Sequence, residues 1–419
     1  MSKTEKLNQQ IFSDLLNVMG LDVIKKKQIR IKNDSERTII SSIMKSLPRH
    51  DTSNVNDVAI ELAITWVIRL MFFKVLERKC NESFSFDTYM ELDYLFFNTT
   101  STPISERTGK YANMFSHVPF LNSLLFKETA LEQNTITIGS LDGDVTYLSD
   151  FYRNTLDTIT TTDMSWIFER LNGYKDGSFY TPKVITSYMC RETLQRAVVN
   201  AINQEYGWNY DTLEQIKGKI QDTEDVLRII NTLTICDPSV GTGNFLVAAI
   251  NEMLMIKYTL GLLPIYSHIR VEDNEIVIDD NTSVNSEVRR VVFKEKCIIA
   301  TNSMFGVDIN PMSVMICQIR LILELLQSSY YNADGTLPKL PNLDLNIRVG
   351  NSLISKYDTK DNMLDTVDNE TVITEYKSLM KQYRFAYTNT ERCSLLSRIS
   401  DIKSEITNRL DGNKTQFYL

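Results

Sequence analysis

Residues 236–245, with the sequence CDPSVGTGNF, restrict the fold of this chain more than any other segment. They lie between two apolar runs, which is typical of a buried strand that leads through a turn into a buried helix. Gly241 and Gly243 predict that the turn is tight, because glycine adopts backbone conformations that other residues disfavour. We therefore expect a strand over 233–236, a glycine turn, and a helix over 244–258.

The alternation of strand and helix continues after this segment. The sequence MFGVDIN (304–310) predicts a second strand, and the apolar helix that follows it has Pro311 in its first turn. A third strand is predicted within LDLNIRVGNSL (343–353). Residues 261–296 are polar, and NEIVIDD together with EVRRVVF predicts a small inserted hairpin there. Strands and helices that alternate in this way are typical of an α/β protein with a parallel sheet.

The rest of the chain is predicted to be mainly helical. Apolar residues recur at helical spacing over 58–79, within residues 1–165, which we interpret as a helical N-terminal domain. Residues 166–360 hold the alternating strands and helices, and 361–419 form a tail whose two apolar stripes predict a helical hairpin. Packing of this hairpin on the body of the protein is favoured over packing on a partner.

Composition narrows the class of protein. A net charge of −8 argues against a globally basic nucleic-acid binder, although it leaves room for a local basic patch. No signal peptide and no apolar run long enough to span a bilayer are evident, so we expect a cytoplasmic protein without a membrane partner. The six cysteines include no C-x-x-C pair, and the three histidines lack metal-ligand spacing, so we expect reduced thiols and no metal site.

The residues around the glycine turn exclude two common ligands. A P-loop requires a lysine at a fixed position, and none follows Gly241 at that position. A dinucleotide site requires a third glycine, which Leu246 replaces, and Asp237 would repel a pyrophosphate. S-adenosylmethionine instead carries an ammonium and a sulfonium group and no phosphate, so an acid at Asp237 suits it. A second acid at the end of the next strand, Asp308, would accept the two ribose hydroxyls.

Four motifs carry a resemblance to a known family: GSFYTPKVI (177–185), DPSVGTGNFL (237–246), GVDINPMSV (306–314) and VGNSL (349–353). Over roughly residues 1–360 the chain resembles the amino-methyltransferases of bacterial restriction–modification systems. It looks most like the adenine-N6 DNA methyltransferases of the large type II (methylase–endonuclease) kind and of the type I modification-subunit kind. The resemblance implies a partial Rossmann-like methyltransferase sheet, S-adenosylmethionine as the cofactor and DNA as the partner.

The resemblance also implies roles for individual residues. Tyr180, Thr181 and Pro182 would contribute to the methionine end of the cofactor. Asp308 would hold the ribose, and Asn351 would bind the exocyclic amine of the cofactor's adenine. The remaining cofactor-binding residues would be Asp237, Pro238, Gly241, Gly243 and Phe245. Plain structural roles stay open for three of these positions: Tyr180 as a core aromatic, Asp308 as an acid at a helix N-terminus, and Asn351 as the cap of a turn.

The resemblance stops before the catalytic half of that family. Its [N/D/S]-P-P-[Y/F/W] loop holds the flipped-out base, and no two of the nine prolines in this chain are adjacent. We therefore assign no catalytic residue, and expect a DNA adenine-N6 methyltransferase truncated before this loop and before the target-recognition domain. A second polypeptide would supply the catalytic half. The alternative is a non-catalytic remnant that binds S-adenosylmethionine or a partner.

A nuclease site is a weaker alternative. Asp57 with Glu77 and Lys79 has the loose form D…E-x-K. However, Glu77 and Lys79 lie at the end of a predicted apolar helix, whereas such sites usually place this pair on a strand. We therefore do not expect nuclease activity from these residues.

Overall fold

The structure is a computed structural model that describes residues 3–23, 29–33, 38–46, 55–80, 151–172, 181–265, 269–272, 275–278, 285–332, 338–353, 367–386 and 388–416. These residues divide into two compact units, one that ends at Thr181 and one that begins at Pro182. Among the described residues helices predominate in both units and each unit contains short strands, so this part of the chain is a mixed α and β protein. No helix among the described residues is both long and apolar enough to cross a membrane.

In its described residues, the first unit consists of helices and one short antiparallel hairpin. The hairpin pairs β1 (Leu21–Val23) with β2 (Ile29–Ile31). The α-helices are α1 (Lys3–Met19), α2 (Ile39–Ser46), α3 (Val55–Cys80) and α4 (Thr161–Asn172). One turn of π-helix (Phe151–Thr155) and one turn of 3-10 helix (Leu156–Thr158) precede α4.

Helix α3 confirms the helix predicted over 58–79. Apolar residues at helical spacing along it, such as Ile64 and Phe72, are buried. Asp57 and Glu77 lie twenty residues apart on this one helix, which separates their backbones by about 30 Å at a rise of about 1.5 Å per residue. The two residues therefore cannot share a nuclease site.

The second unit combines a parallel sheet, an antiparallel hairpin and the helices that pack around them. Its strands are β3 (Ile235–Asp237), β4 (Ile269–Glu272), β5 (Glu275–Ile278), β6 (Met304–Asp308) and β7 (Ile347–Val349). Its helices are α5 (Lys183–Tyr206), α6 (Leu213–Lys217), α7 (Thr223–Thr232), α8 (Asn244–Thr259), α9 (Asn285–Asn302), α10 (Pro311–Gln327), α11 (Val367–Arg384) and α12 (Asn389–Gln416).

Strands β3, β6 and β7 form the parallel sheet, with β6 in the middle. In its register Asp237 lies beside Gly306, and Asp308 lies beside Val349. Each strand lies within or next to a segment where a strand was predicted, and Pro311 occupies the first turn of α10 as expected. Because the strands are parallel, their carboxyl ends and the polar residues that follow them meet at one edge of the sheet.

The prediction of a hairpin formed by NEIVIDD and EVRRVVF is correct for a strand in NEIVIDD and wrong for EVRRVVF. Strand β5 lies within the first of these sequences, but it pairs with β4 rather than with the second. EVRRVVF belongs to α9, where Val288, Val292 and Phe293 are buried. Valine favours strands locally, but apolar residues spaced four apart fit one face of a helix, and packing of that face overrides the local preference.

Two buried lysines join the helices of the second unit. Lys257 of α8 donates to the Oδ1 atom of Asn231 at 2.6 Å and forms an ion pair of 2.9 Å with Glu295 of α9. Lys296 of α9 forms an ion pair of 2.6 Å with Glu324 of α10. Separation of either pair would leave a buried charge without its partner, so these contacts fix α8, α9 and α10 relative to one another.

Helices α11 and α12 form the helical hairpin predicted for the end of the chain, and within the second unit this hairpin packs against the segment that precedes β7. Leu345, just before β7, shares a hydrophobic cluster with Val372, Leu379, Tyr383, Ala386, Leu395, Ile399 and Ile402 of the hairpin. The Tyr383 hydroxyl donates to the Oδ2 atom of Asp344 at 2.5 Å, and Arg392 donates to the Tyr383 oxygen at 3.1 Å. Burial, followed by the charge of Asp344, raises the pKa of Tyr383. The hydroxyl of Tyr383 therefore stays protonated and donates to Asp344.

Replacement of Tyr383 by phenylalanine is expected to destabilise the second unit. The substitution keeps the buried ring but removes the donor to Asp344, whose part-buried carboxylate is left with its longer ion pair of 3.7 Å to Arg392. The loss of a hydrogen bond to a charged group costs about 1–3 kcal/mol. Urea unfolding followed by circular dichroism measures the change in the free energy of unfolding. Tyr376→Phe is the control, because Tyr376 lies on the same helix and is only partly buried. Equal effects of the two substitutions would contradict a role for the Asp344 contact.

Candidate functional site

The carboxyl edge of the parallel sheet carries the predicted glycine turn. Strand β3 ends at Asp237, the turn follows, and α8 begins at Asn244. Gly241 and Gly243 have φ angles of 52° and 85°, in the left-handed region that favours glycine. The prediction of a tight turn between a strand and a helix is therefore confirmed.

Gly243 lies so close to α10 that a side chain does not fit. A Cβ atom at this position would be 2.7 Å from the Sγ atom of Cys317, which is buried in α10. The positive φ angle of Gly243 would strain any other residue as well. The glycine turn therefore rests on α10 through its backbone.

Asp308, the last residue of β6, is hydrogen-bonded to the glycine turn. Its Oδ2 atom accepts from the Gly241 amide at 2.8 Å, and its Oδ1 atom accepts from the Asn310 amide at 2.9 Å. The cap of α10 is Asn310, whose Oδ1 atom accepts from the amides of Met312 and Ser313. The Asp308 carboxylate is thus directed to the turn after β3, which lies 67 residues earlier in the chain.

Asp237 is half-buried at the same edge, and its Oδ1 atom accepts a hydrogen bond from the Ser239 amide at 3.0 Å. Burial raises the pKa of Asp237, the hydrogen bond from Ser239 lowers it, and the negative charge of Asp308 raises it again. The net pKa lies above the ordinary value. The carboxylates of Asp237 and Asp308 thus act on each other at the carboxyl edge of the sheet.

The segment after β7 reaches across to the segment after β3. The Ser352 hydroxyl donates to the carbonyl oxygen of Pro238 at 2.7 Å. Asn351 is exposed, and its Oδ1 atom accepts from the Leu353 amide at 3.0 Å. The side chain of Asn351 therefore closes a turn in this structure, and its contact with an adenine amine stays a prediction.

The other predicted site residues lie at the starts of α8 and α5 or outside the described residues. Phe245, in the first turn of α8, is partly buried, and its carbonyl oxygen accepts from the Cys190 thiol of α5 at 3.5 Å. Pro182 directly precedes α5, and Thr181 ends the first unit. Tyr180 lies outside the described residues. The role of these last three at the methionine end of a cofactor stays a prediction.

Arg320 of α10 is a residue of this site that the sequence motifs did not reveal. Its Nη1 atom donates to the carbonyl oxygen of Thr242 and to the Oδ1 atom of Asn244, both at 2.7 Å. The sequence contains one signal for this role. Arg320 lies inside the apolar run ICQIRLILELL, which predicts a buried helix, and a charged side chain that is buried requires a partner.

These contacts determine which ligands the sheet edge favours. Two carboxylates attract a positive charge and accept hydrogen bonds from hydroxyl groups, because an ionised carboxylate only accepts. A phosphate group would be repelled by both. Among the residues that the structure describes, no group of three or more His, Cys, Asp or Glu side chains is arranged to hold a metal ion.

Comparisons with known proteins relate this chain to restriction–modification enzymes. Residues 4–184 match the model of a domain family of unknown function, DUF7814. Over 85% of its length the chain is 27% identical to a protein of Methanocaldococcus jannaschii named "Putative type II restriction enzyme and methyltransferase". The chain spans 33% of the length of that relative. The similarity supports a relationship to the methyltransferases of restriction–modification systems.

Replacement of Asp237 by asparagine is expected to stabilise the protein at neutral pH. A raised pKa means that the native state binds a proton more readily than the unfolded chain, so ionisation of Asp237 lowers native stability as the pH rises. Asparagine keeps an acceptor for the Ser239 amide and removes the charge. Thermal unfolding from about pH 4 to about pH 8 should show a gain that shrinks as the pH falls, because Asp237 then becomes neutral in the wild type.

Asp211→Asn serves as the control, since the side chain of Asp211 is exposed. It should leave the melting temperature nearly unchanged at every pH. An equal gain from both substitutions, or a gain from Asp237→Asn that does not depend on pH, would contradict the raised pKa.

Proposed function

We propose that the second unit is the cofactor-binding part of an S-adenosylmethionine-dependent DNA methyltransferase of a restriction–modification system. It would act in the cytoplasm on the N6 amine of adenine. In this proposal β3, β6 and β7 belong to a Rossmann-like sheet whose carboxyl edge holds the cofactor. The observation that carries the proposal is the hydrogen bond from the Gly241 amide to the Asp308 carboxylate, because it unites the glycine turn and the second acid. The similarity to the Methanocaldococcus jannaschii protein supports the same class of activity.

The residues at the sheet edge fit this cofactor. Asp308 would accept the ribose hydroxyls, since its carboxylate keeps lone pairs after it has accepted from two amides. Asp237 would face the positively charged part of the cofactor, where a cation relieves the repulsion between the two acids. Gly243 would let the cofactor approach the backbone, and Asn351 would bind the adenine amine of the cofactor.

Methyl transfer requires more than this cofactor site. Bound S-adenosylmethionine supplies a methyl group that its sulfonium charge activates. The target adenine must also be held outside the DNA stack, and the family that this chain resembles does so with a P-P-aromatic loop. The sequence has no P-P dipeptide, and the chain spans 33% of its Methanocaldococcus jannaschii relative. We therefore propose that a further polypeptide segment supplies the catalytic loop and the target-recognition surface.

Strand β3 offers a place for that segment to join. Within the part of the chain that the structure describes, β3 pairs with β6 alone, and Cys236 at its centre is exposed. Helix α5, which contacts the start of α8 through Cys190, also presents exposed apolar side chains. They are Val184, Ile185, Tyr188 and Met189. We propose that the catalytic segment adds a strand to β3 and covers this apolar surface.

Isothermal titration calorimetry tests the cofactor proposal. The wild-type chain is expected to bind S-adenosylmethionine, and Asp308→Asn should weaken binding about tenfold, because a charge-assisted acceptor for the ribose is lost. Asp211→Asn removes an exposed carboxylate between α5 and α6 and should leave binding unchanged. Binding of NAD⁺ or ATP without binding of S-adenosylmethionine would overturn the proposal.

A methyl-transfer assay tests the proposed catalytic role. The chain should transfer labelled methyl groups to DNA when it is mixed with a polypeptide that carries an N-P-P-Y loop and is encoded beside it. Neither polypeptide should transfer methyl groups alone. A mixture that contains the Asp308→Asn variant should lose transfer activity in proportion to its loss of cofactor affinity. Mass spectrometry of digested DNA should identify N6-methyladenine. Cofactor binding without transfer in every such mixture would favour the non-catalytic remnant.

A further inference from the structure

We infer that Arg320 of α10 is a positioning residue that sets the backbone conformation of the glycine turn beneath the cofactor. The inference rests on the proposed function, because the turn is the proposed floor of the S-adenosylmethionine site. Only 6% of Arg320 is exposed, so we assign it no contact with the cofactor itself. Its effect would pass through the turn residues to which it donates.

The guanidinium of Arg320 donates to the part of the turn whose backbone is conformationally least restricted. Its Nη1 atom lies 2.7 Å from the carbonyl oxygen of Thr242, 3.4 Å from the hydroxyl of Thr242 and 2.7 Å from the Oδ1 atom of Asn244. Thr242 stands between Gly241 and Gly243, which restrict the backbone least. A donor that fixes the direction of the Thr242 carbonyl therefore also fixes the peptide groups on either side of it.

The same segment of chain holds the turn at two further points. Cys317, three residues before Arg320 on α10, occupies the space that a Cβ atom at Gly243 would need. Asp308, three residues before the first residue of α10, accepts from the Gly241 amide. The turn is thus bonded to the Asp308 carboxylate and to the Arg320 guanidinium, and its position depends on where α10 lies.

A buried ionic network keeps the charge of Arg320 in place. Glu324 lies one helical turn further along α10 and forms the 2.6 Å ion pair with Lys296. Burial raises the pKa of Glu324, but the charge of Lys296, hydrogen bonds from Lys296 and Asn251, and the charge of Arg320 lower it, and the net shift is downward. Glu324 therefore stays ionised near Arg320, which favours a buried guanidinium at this position.

The affinity of Arg320 variants for S-adenosylmethionine, measured by calorimetry, tests the inference. Arg320→Met should weaken binding about tenfold, as expected for the loss of a hydrogen bond from a charged group. Arg320→Lys should keep part of the affinity, because an ammonium group retains the charge but lacks the reach and planar geometry of a guanidinium.

Lys257→Met is the matched control. Lys257 is a second buried cation of the same unit, but it lies near the far end of α8 from the turn, where it pairs with Glu295. The control should lower the melting temperature as Arg320→Met does, yet leave the affinity within about twofold of the wild type. Equal losses of affinity in the two variants would show a general effect of destabilisation and would overturn the inference.

Asn244→Ala tests the pathway through the turn in a variant that disturbs the core less. It removes one acceptor of Arg320 at a partly exposed position. In the wild type it should weaken binding about threefold, and in the Arg320→Met background it should have no further effect, because the contact is already lost. Fully additive effects would contradict a role of Arg320 that acts through Asn244.

Hydrogen exchange without cofactor gives a second measurement. Arg320→Met should speed exchange in peptides that cover residues 240–244 and leave peptides of α5 unchanged, since only the turn loses a contact. Unchanged exchange at the turn would overturn the inference.

If the wild type fails to bind S-adenosylmethionine, the proposed function fails together with the cofactor role of Arg320. If the wild type binds and Arg320→Met binds equally well, the inference alone fails.

Discussion

The arrangement of the site depends on the hydrogen bond from the Gly241 amide to the Asp308 carboxylate. This bond draws the end of β6 to the turn that follows β3, and so places a second negative charge beside the half-buried Asp237. Burial raises the pKa of Asp237, and the charge of Asp308 adds to this effect, so the ionised form of Asp237 is disfavoured at this edge. Carboxyl groups with perturbed pKa values cluster at functional sites, which makes this edge a candidate site.

The helices and strands around the glycine turn could be predicted because their signals are local. Gly243 ends the turn and α8 begins at the next residue, while Pro311 marks the first turn of α10. The segment EVRRVVF was misjudged for the opposite reason. Its valines favour a strand in isolation, and only the tertiary contacts of Val288 and Val292 in the core select the helix.

The same distinction applies to the site. Asp237 and Asp308 could be assigned to one edge of the sheet from sequence because parallel strands bring their carboxyl ends to the same edge. Arg320 could not be assigned to the site from sequence, because its acceptors at Thr242 and Asn244 lie 78 and 76 residues away in the chain. The acceptor at Thr242 is also a main-chain carbonyl, which no residue type in the sequence can reveal. The sequence shows that a buried arginine needs a partner, but only the packing of α10 against the turn identifies the partner.

The exposed position of Cys236 at the centre of β3 has a practical consequence for the isolated chain. Within the residues that the structure describes β3 pairs with β6 alone, and a short strand with such an edge can pair with the same strand of another copy. In a symmetric antiparallel pair the two Cys236 residues would lie opposite each other, at a separation of about 5 Å that suits a disulfide bond. If two copies paired in this way under oxidising storage, a disulfide bond would hold them as a covalent dimer, and a reducing agent would restore the monomer.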